Sequence, residues 1–186
     1  MISDKLDIRQ KQFIVEPLRG KDAMKILNLG TAALKAVGIE YKVGGGTLLG
    51  LVRDKDFIPH DTDLDVDVCV KGSVNKEIGD LVNLMTFKGF DVIRQQTYED
   101  KFMQLAFIHT GTHIIFDIYF YYEKLLKGHD FINVNEHGIL MYPATYWFNI
   151  MPVEEYLSLR YGDNWRTPQG SKSDWELDAE RLMINL

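Results

Sequence analysis

The run His60-Asp61-Thr62-Asp63-Leu64-Asp65-Val66-Asp67-Val68 alternates acidic and apolar side chains. On a strand, residues two apart share a face, so Asp63, Asp65 and Asp67 point one way and Leu64, Val66 and Val68 the other. The Cα atoms of Asp63 and Asp65 would stand about 6.6 Å apart, two strand rises. Their carboxylates can then converge on a pair of divalent ions about 3.5–4 Å apart. Left alone, two like charges about 5 Å apart repel by about 3 kcal/mol at an effective dielectric of about 20. Cations, basic side chains or a proton must offset that cost. Hard oxygen ligands favour Mg²⁺ or Mn²⁺. The bland reading is a solvated edge strand whose charges deter aggregation. An EF-hand is excluded, because a loop starting at Asp61 has Val66 and Gly72 where glycine and glutamate are required. A haloacid-dehalogenase nucleophile fits poorly, since its acid pair ends a hydrophobic strand and this one begins the run.

Asp117 interrupts a second apolar stretch, His113-Ile114-Ile115-Phe116-Asp117-Ile118-Tyr119-Phe120. An ionised carboxylate inside such a strand is costly unless it is paired or binds metal. The alternative is a pairing with Arg or Lys. Ahead of the acidic strand stands Gly44-Gly45-Gly46-Thr47-Leu48-Leu49-Gly50. Glycine allows close approach of backbone to ligand, and N–H groups opening a helix bind phosphate; Thr47 adds a hydroxyl. Taken by itself, a glycine triplet is more often a simple turn. The segment is not a P-loop, for G-x-x-x-x-G-K-[ST] is absent, and it fits the Rossmann fingerprint badly.

The elements that must position these groups follow from periodicity. Residues 22–37 read as a helix with Ala23, Ile26, Leu27, Ala33, Leu34 and Val37 on one stripe and Gly38 after it. Ile39–Val43 reads as a strand and Thr47–Arg53 as a short helix. Asp63–Val68 is a strand, and Val74–Lys88 is a helix with Val74, Ile78, Leu81, Val82 and Met85 on one side. Asp91–Tyr98, Phe102–His109 and His113–Tyr121 read as strands, the last two joined by turn chemistry at Thr110-Gly111-Thr112. Residues 129–142 suggest a hairpin. Val153–Arg160 reads as a helix between Pro152 and Gly162, and Ser173-Asp174-Trp175-Glu176 would open a last helix to about residue 184 through a capping box. Neighbouring strands are expected to be antiparallel. The class is α+β, or mixed α/β: a mixed sheet flanked by helices.

Taken together, Gly45-Gly46-Thr47-Leu48-Leu49-Gly50, then Arg53, then Phe57-Ile58-Pro59-His60-Asp61-Thr62-Asp63-Leu64-Asp65-Val66 resemble the LicD/fukutin family of the nucleotidyltransferase-fold superfamily. Tyr156-Leu157 and Tyr161-Gly162-Asp163-Asn164-Trp165-Arg166-Thr167-Pro168 are similar to its C-terminal region, so the resemblance runs over roughly residues 25–170. Many members carry Trp or Tyr at the place of His60 and Asp at that of Thr62. Residues 71–112 offer no motif to carry over.

The resemblance implies a nucleotidyltransferase-like domain over residues 1–186, with a catalytic core at 22–122 and a C-terminal hairpin and helices at 123–186. It implies a transferase moving a phosphate-linked group, phosphocholine or a polyol phosphate, from a CDP-activated donor to a hydroxyl, that of a glycan. Asp63, Asp65 and Asp117 would be both the catalytic residues and the ligands of two ions, Mg²⁺ or Mn²⁺. Gly45, Gly46 and Thr47 would cradle donor phosphates. Arg53 would neutralise phosphate or pair with Asp54 or Asp56. His60 would contact phosphate, relay a proton, or make a structural hydrogen bond to the loop backbone. Asp61 and Asp67 would be supporting or structural. Two alternatives stay open: transfer of a nucleotide from an NTP to a protein, RNA or small-molecule hydroxyl, and a non-catalytic nucleotide-binding module.

Composition narrows the rest. The 186 residues carry 21 Lys plus Arg against 27 Asp plus Glu, a net charge of −6. That balance argues against DNA binding and against a long RNA acceptor. Cys69 stands alone, which excludes an internal disulfide framework and an all-cysteine metal site. His109 and His113 are separated by a turn and make no zinc pair. Tyr161 and Trp165 read as packing residues. The N-terminal residues show no apolar signal region and no run is long enough to span a bilayer, so a cytoplasmic protein is expected, with its oligomeric state open.

Overall fold

The computed structural model describes residues 6–10, 14, 17–18, 20–70, 73–98, 101–126, 129–135, 138–142 and 152–168. In chain order the elements are β1 (Leu6–Gln10), α1 (Gly20–Ala36), β2 (Tyr41–Val43), α2 (Gly45–Arg53), β3 (Asp63–Val70) and α3 (Asn75–Phe87), followed by β4 (Phe90–Tyr98), β5 (Lys101–His109), β6 (Ile115–Leu126), β7 (His129–Asn135), β8 (Gly138–Tyr142) and α4 (Val153–Tyr161). The sheet runs β1-β4-β5-β6-β3-β2, with β7 hydrogen-bonded to β6 and β8 to β7. This is the expected α+β architecture. The hairpin foreseen at 129–142 is β7–β8, while the helix expected from residue 173 lies outside the described residues.

Three features differ from the sequence reading. β3 and β6 are parallel, not antiparallel, because three elements of chain separate them and return the second strand in the same direction. β1, unforeseen in the polar N-terminal sequence, adds to β4 antiparallel. Helix α2 starts at Gly45, so two glycines expected to form the break are instead its first turn.

The sheet has two unlike faces. Leu64, Val66, Val68, Phe116, Ile118, Phe120, Met103, Leu105 and Phe107 are buried on one, under Ala23, Ile26, Leu27 and Leu34 of α1 and Ile78, Leu81 and Met85 of α3. Removing such side chains from water contributes about 1.5–3 kcal/mol apiece. Gly30 is the contact point: a β-carbon there would lie 2.5 Å from the Phe116 ring, so only glycine lets α1 settle against β6. The opposite face carries Asp63, Asp65, Asp117 and Tyr119. A separate apolar cluster beside it, Leu49, Ile58, Leu157, Tyr161 and Trp165, joins α2 to α4. Among the described residues, no helix is long and apolar enough to cross a membrane.

Candidate active site

Parallel pairing decides the site. Asp65 of β3 stands opposite Asp117 of β6 in the ladder, and Asp63 opposite Ile115. Across the sheet, Arg94, Ala106, Asp117 and Asp65 form one rank. Gln96, Gln104, Tyr119 and Asp67 form the next. The three acids expected from the sequence therefore share one face of two adjacent strands.

The glycine corner closes on Asp65. Its backbone carbonyl accepts from Gly44 N–H at 3.1 Å, its Oδ2 accepts from Gly46 N–H at 3.0 Å, and its own N–H donates to Thr47 Oγ1 at 2.8 Å. The positive end of α2 is thus directed at a carboxylate of the same chain. Gly45 and Thr47 N–H groups remain without an intrahelical acceptor, as first-turn donors do. Gly45 has φ +51°, and a β-carbon there would sit 2.6 Å from Asp65 Cγ. A β-carbon on Gly44 would come 2.5 Å from Asp67 Cγ. Asp67 is buried beneath that glycine. Thr47 is also buried, its hydroxyl oxygen holding the β3 backbone.

Asp117 is 1% exposed. Gln104 Nε2 donates to its Oδ2 at 2.7 Å, Arg94 Nη1 lies 3.7 Å from the same oxygen, and Tyr119 OH reaches it at 3.5 Å. Oδ1 is buried with no hydrogen-bond partner. Burial, then the charge of Asp63, push Asp117 up to about 7, against the pull of Arg94, Gln104 and the nearby backbone N–H of Ile118. Burial, then Asp63, Asp61 and Asp117, hold Asp65 well above the ordinary carboxylate range, partly offset by Arg160 of α4. Burial, then Asp117, Asp65 and Asp63, raise the Tyr119 phenol. The site concentrates more negative charge than its own cations offset, the electrostatic setting a divalent cation would relieve. Asp117 Oδ1, an oxygen lacking a partner, fits that role. Among the described residues, however, no three His, Cys, Asp or Glu side chains stand ready-made as a metal cage.

The remaining expected residues flank the acidic face. Arg53 is at the far end of α2, about 12 Å along the axis from Gly45 at 1.5 Å per residue. It donates to both oxygens of Asp54, at 2.9 and 2.7 Å, which is the pairing alternative weighed above. His60 is exposed in the loop before β3. Tyr161 and Trp165 are buried packing residues, and Arg166 stacks over the Trp165 ring at 4.3 Å. Gln104 and Arg94 were missed from sequence. Gln104 left a signal, a lone amide inside Met103-Gln104-Leu105-Ala106-Phe107-Ile108. Arg94 left none, because a β-bulge between Val92 and Arg94 turns it onto the acidic face.

Comparison with known proteins matches these features to a family. The sequence pattern described as LicD/FKTN/FKRP, nucleotidyltransferase domain, fits residues 38–154. The chain is 39% identical over 62 residues to the lipopolysaccharide cholinephosphotransferase LicD of Haemophilus influenzae, covering 33% of this chain and 20% of that protein. It is 20% identical over 178 residues to the human ribitol-5-phosphate transferase FKTN, covering 89% of this chain and 37% of that one. The chain thus spans a fifth to about a third of these relatives. Among solved structures, the antibiotic-resistance factor ANT(2'')-Ia is similar at a TM-score of 0.45 and 12% identity, over 87% of this chain and 85% of that one. With more than half of its residues fitting the family pattern, the chain belongs to the LicD/FKTN/FKRP nucleotidyltransferase-domain family.

Proposed function

We propose that this chain is a metal-dependent transferase of LicD type, moving a phosphate-linked group from a CDP-activated donor to a hydroxyl, that of a glycan. One observation carries the proposal: Asp65 and Asp117 lie side by side on parallel strands, with Asp63 one pleat away and a glycine-opened helix directed at the same point. The activities by which the relatives are named, cholinephosphotransferase and ribitol-5-phosphate transferase, support the chemical class.

Mg²⁺ or Mn²⁺, two ions in this reading, would supply neutralisation of diphosphate charge at the entering and leaving oxygens. Asp63, Asp65 and Asp117 would hold them through carboxylate oxygens. The α2 N-terminus, with Gly45, Gly46 and Thr47, would lie against the donor phosphates. Asp117 would, through the ion it holds, lower the pKa of the acceptor hydroxyl, or take its proton. The acceptor oxygen bonds to the phosphorus bearing the transferred alcohol, the diphosphate P–O bond breaks, and CMP leaves. Arg53, paired with Asp54, would neutralise donor phosphate, and His60, exposed in the loop that leads into β3, would contact phosphate or relay a proton.

The test is to replace Asp63, Asp65 and Asp117 singly with Asn, then measure Mn²⁺ binding and turnover of CDP-choline, CDP-ribitol and free NTPs. Loss of both binding and CDP-alcohol turnover is expected. Wild-type turnover in all three variants would sink the proposal, and turnover of NTPs alone would redirect it to nucleotide transfer.

A further inference from the structure

The two oxygens of Asp117 are treated differently by their surroundings. Oδ2 takes the Gln104 amide at 2.7 Å, with Arg94 at 3.7 Å and Tyr119 OH at 3.5 Å. Oδ1 takes none. A buried oxygen left so is unfavourable in an otherwise satisfied interior. Gln104 itself is 2% exposed on a strand whose neighbours Met103, Leu105, Ala106, Phe107 and Ile108 are all buried and apolar. An apolar residue would fill that position with no desolvated amide. Gln96, also buried, stands opposite Gln104 in the ladder and extends the polar rank away from the site.

We propose that Gln104 is a positioning residue for Asp117: its amide, backed by Arg94, fixes the carboxylate through Oδ2 and presents Oδ1 as the oxygen that meets the cation. This rests on the reading of Asp117 given above. Gln104 touches neither substrate nor cation. It acts by removing the rotation that would exchange the two oxygens, much as residues behind metal ligands orient them in other proteins. The arrangement requires β4 and β5 beside β6, and the Val92–Arg94 bulge that brings Arg94 to the same oxygen.

The experiment compares Gln104→Met, close in volume but without the donor, and Gln104→Asn, which keeps the amide but is one methylene too short. Asp117→Asn is the reference. Mn²⁺ binding is read from the signal of the free ion by electron paramagnetic resonance, alongside kcat, donor KM and thermal melts. Both Gln104 variants are expected to lose about 10–100-fold in Mn²⁺ affinity or kcat, with donor KM within about twofold and a cooperative melt retained. A merely structural Gln104 would move the melt and spare the split between kcat and KM. If Gln104→Met fails to fold, Gln104→Asn carries the same comparison. Wild-type affinity and kcat in a folded Gln104 variant, with both lost in Asp117→Asn, overturn the positioning role and leave the proposed function standing. Wild-type behaviour of Asp117→Asn overturns the positioning role together with the part given to Asp117 in the proposed function.

Discussion

Gly45→Ala separates backbone strain from damage to the carboxylate site. Gly45 has φ +51°, and its added β-carbon would lie 2.6 Å from Asp65 Cγ. Carbon atoms meet comfortably at about 3.5–4.0 Å, so the Asp65 carboxylate must retreat by about 1 Å. A misplacement of about 1 Å in a reacting group costs about 100-fold in rate, or about 2.7 kcal/mol of barrier. The left-handed backbone adds about 1–2 kcal/mol of folding cost for alanine, a melting-point fall of about 2–8 °C in a chain of this size. Gly38→Ala is the control. Gly38 has φ +79° with nothing within 4 Å of an added β-carbon. It should show the melting-point loss and keep its rate. Turnover of CDP-choline with Mn²⁺, followed with thermal melts, gives both quantities. If Gly45→Ala turns over within twofold of Gly38→Ala, the claim that the glycine corner exists to admit Asp65 is refuted.

Three further outcomes are expected. Asp117 is pushed up to about 7 from 3.8; the folded chain then keeps a proton that the unfolded chain has released, so metal-free stability should fall as pH rises from about 4 through 7. Urea midpoints at about pH 5 and pH 8 should show that fall, reduced in Asp117→Asn, and an equal fall in both proteins would contradict the assignment. Gly30→Ala drives a β-carbon to 2.5 Å from the Phe116 ring and should destabilise by about 1–3 kcal/mol, as overpacking does; a melt unchanged from wild type would mean that α1 does not bear on β6 there. Leu157→Ala empties a side chain that is 0% exposed between α4 and α2, and should cost about 2–5 kcal/mol in a denaturant titration; a cost under about 1 kcal/mol would show that α4 is not docked there.

Strict alternation from Asp63 to Val68 is enough to place three acids on one side of β3, because strand geometry allows no other outcome. Helix periodicity likewise identified α1 and α3 and the faces they bury, and Pro152 and Gly162 bracketed α4. Asp117 was legible as an anomaly, a charge in an apolar strand. The same logic applied to Gln104 would have found it, had an uncharged amide been weighed alongside the carboxylates. β1 was illegible, since Leu6–Gln10 is short and acquires its strand form by adding to β4.

The amino-acid sequence by itself determined which residues could do chemistry here, because side-chain type and local period are properties of short segments. The tertiary structure decided which of them meet. Parallel register brought Asp117 beside Asp65, a one-residue bulge turned Arg94 to the acidic face, and α2 was set so that Gly46 N–H serves Asp65. Each outcome depends on hydrogen bonds between remote stretches of chain, where a shift of one residue reverses every side chain and no local pattern records the choice.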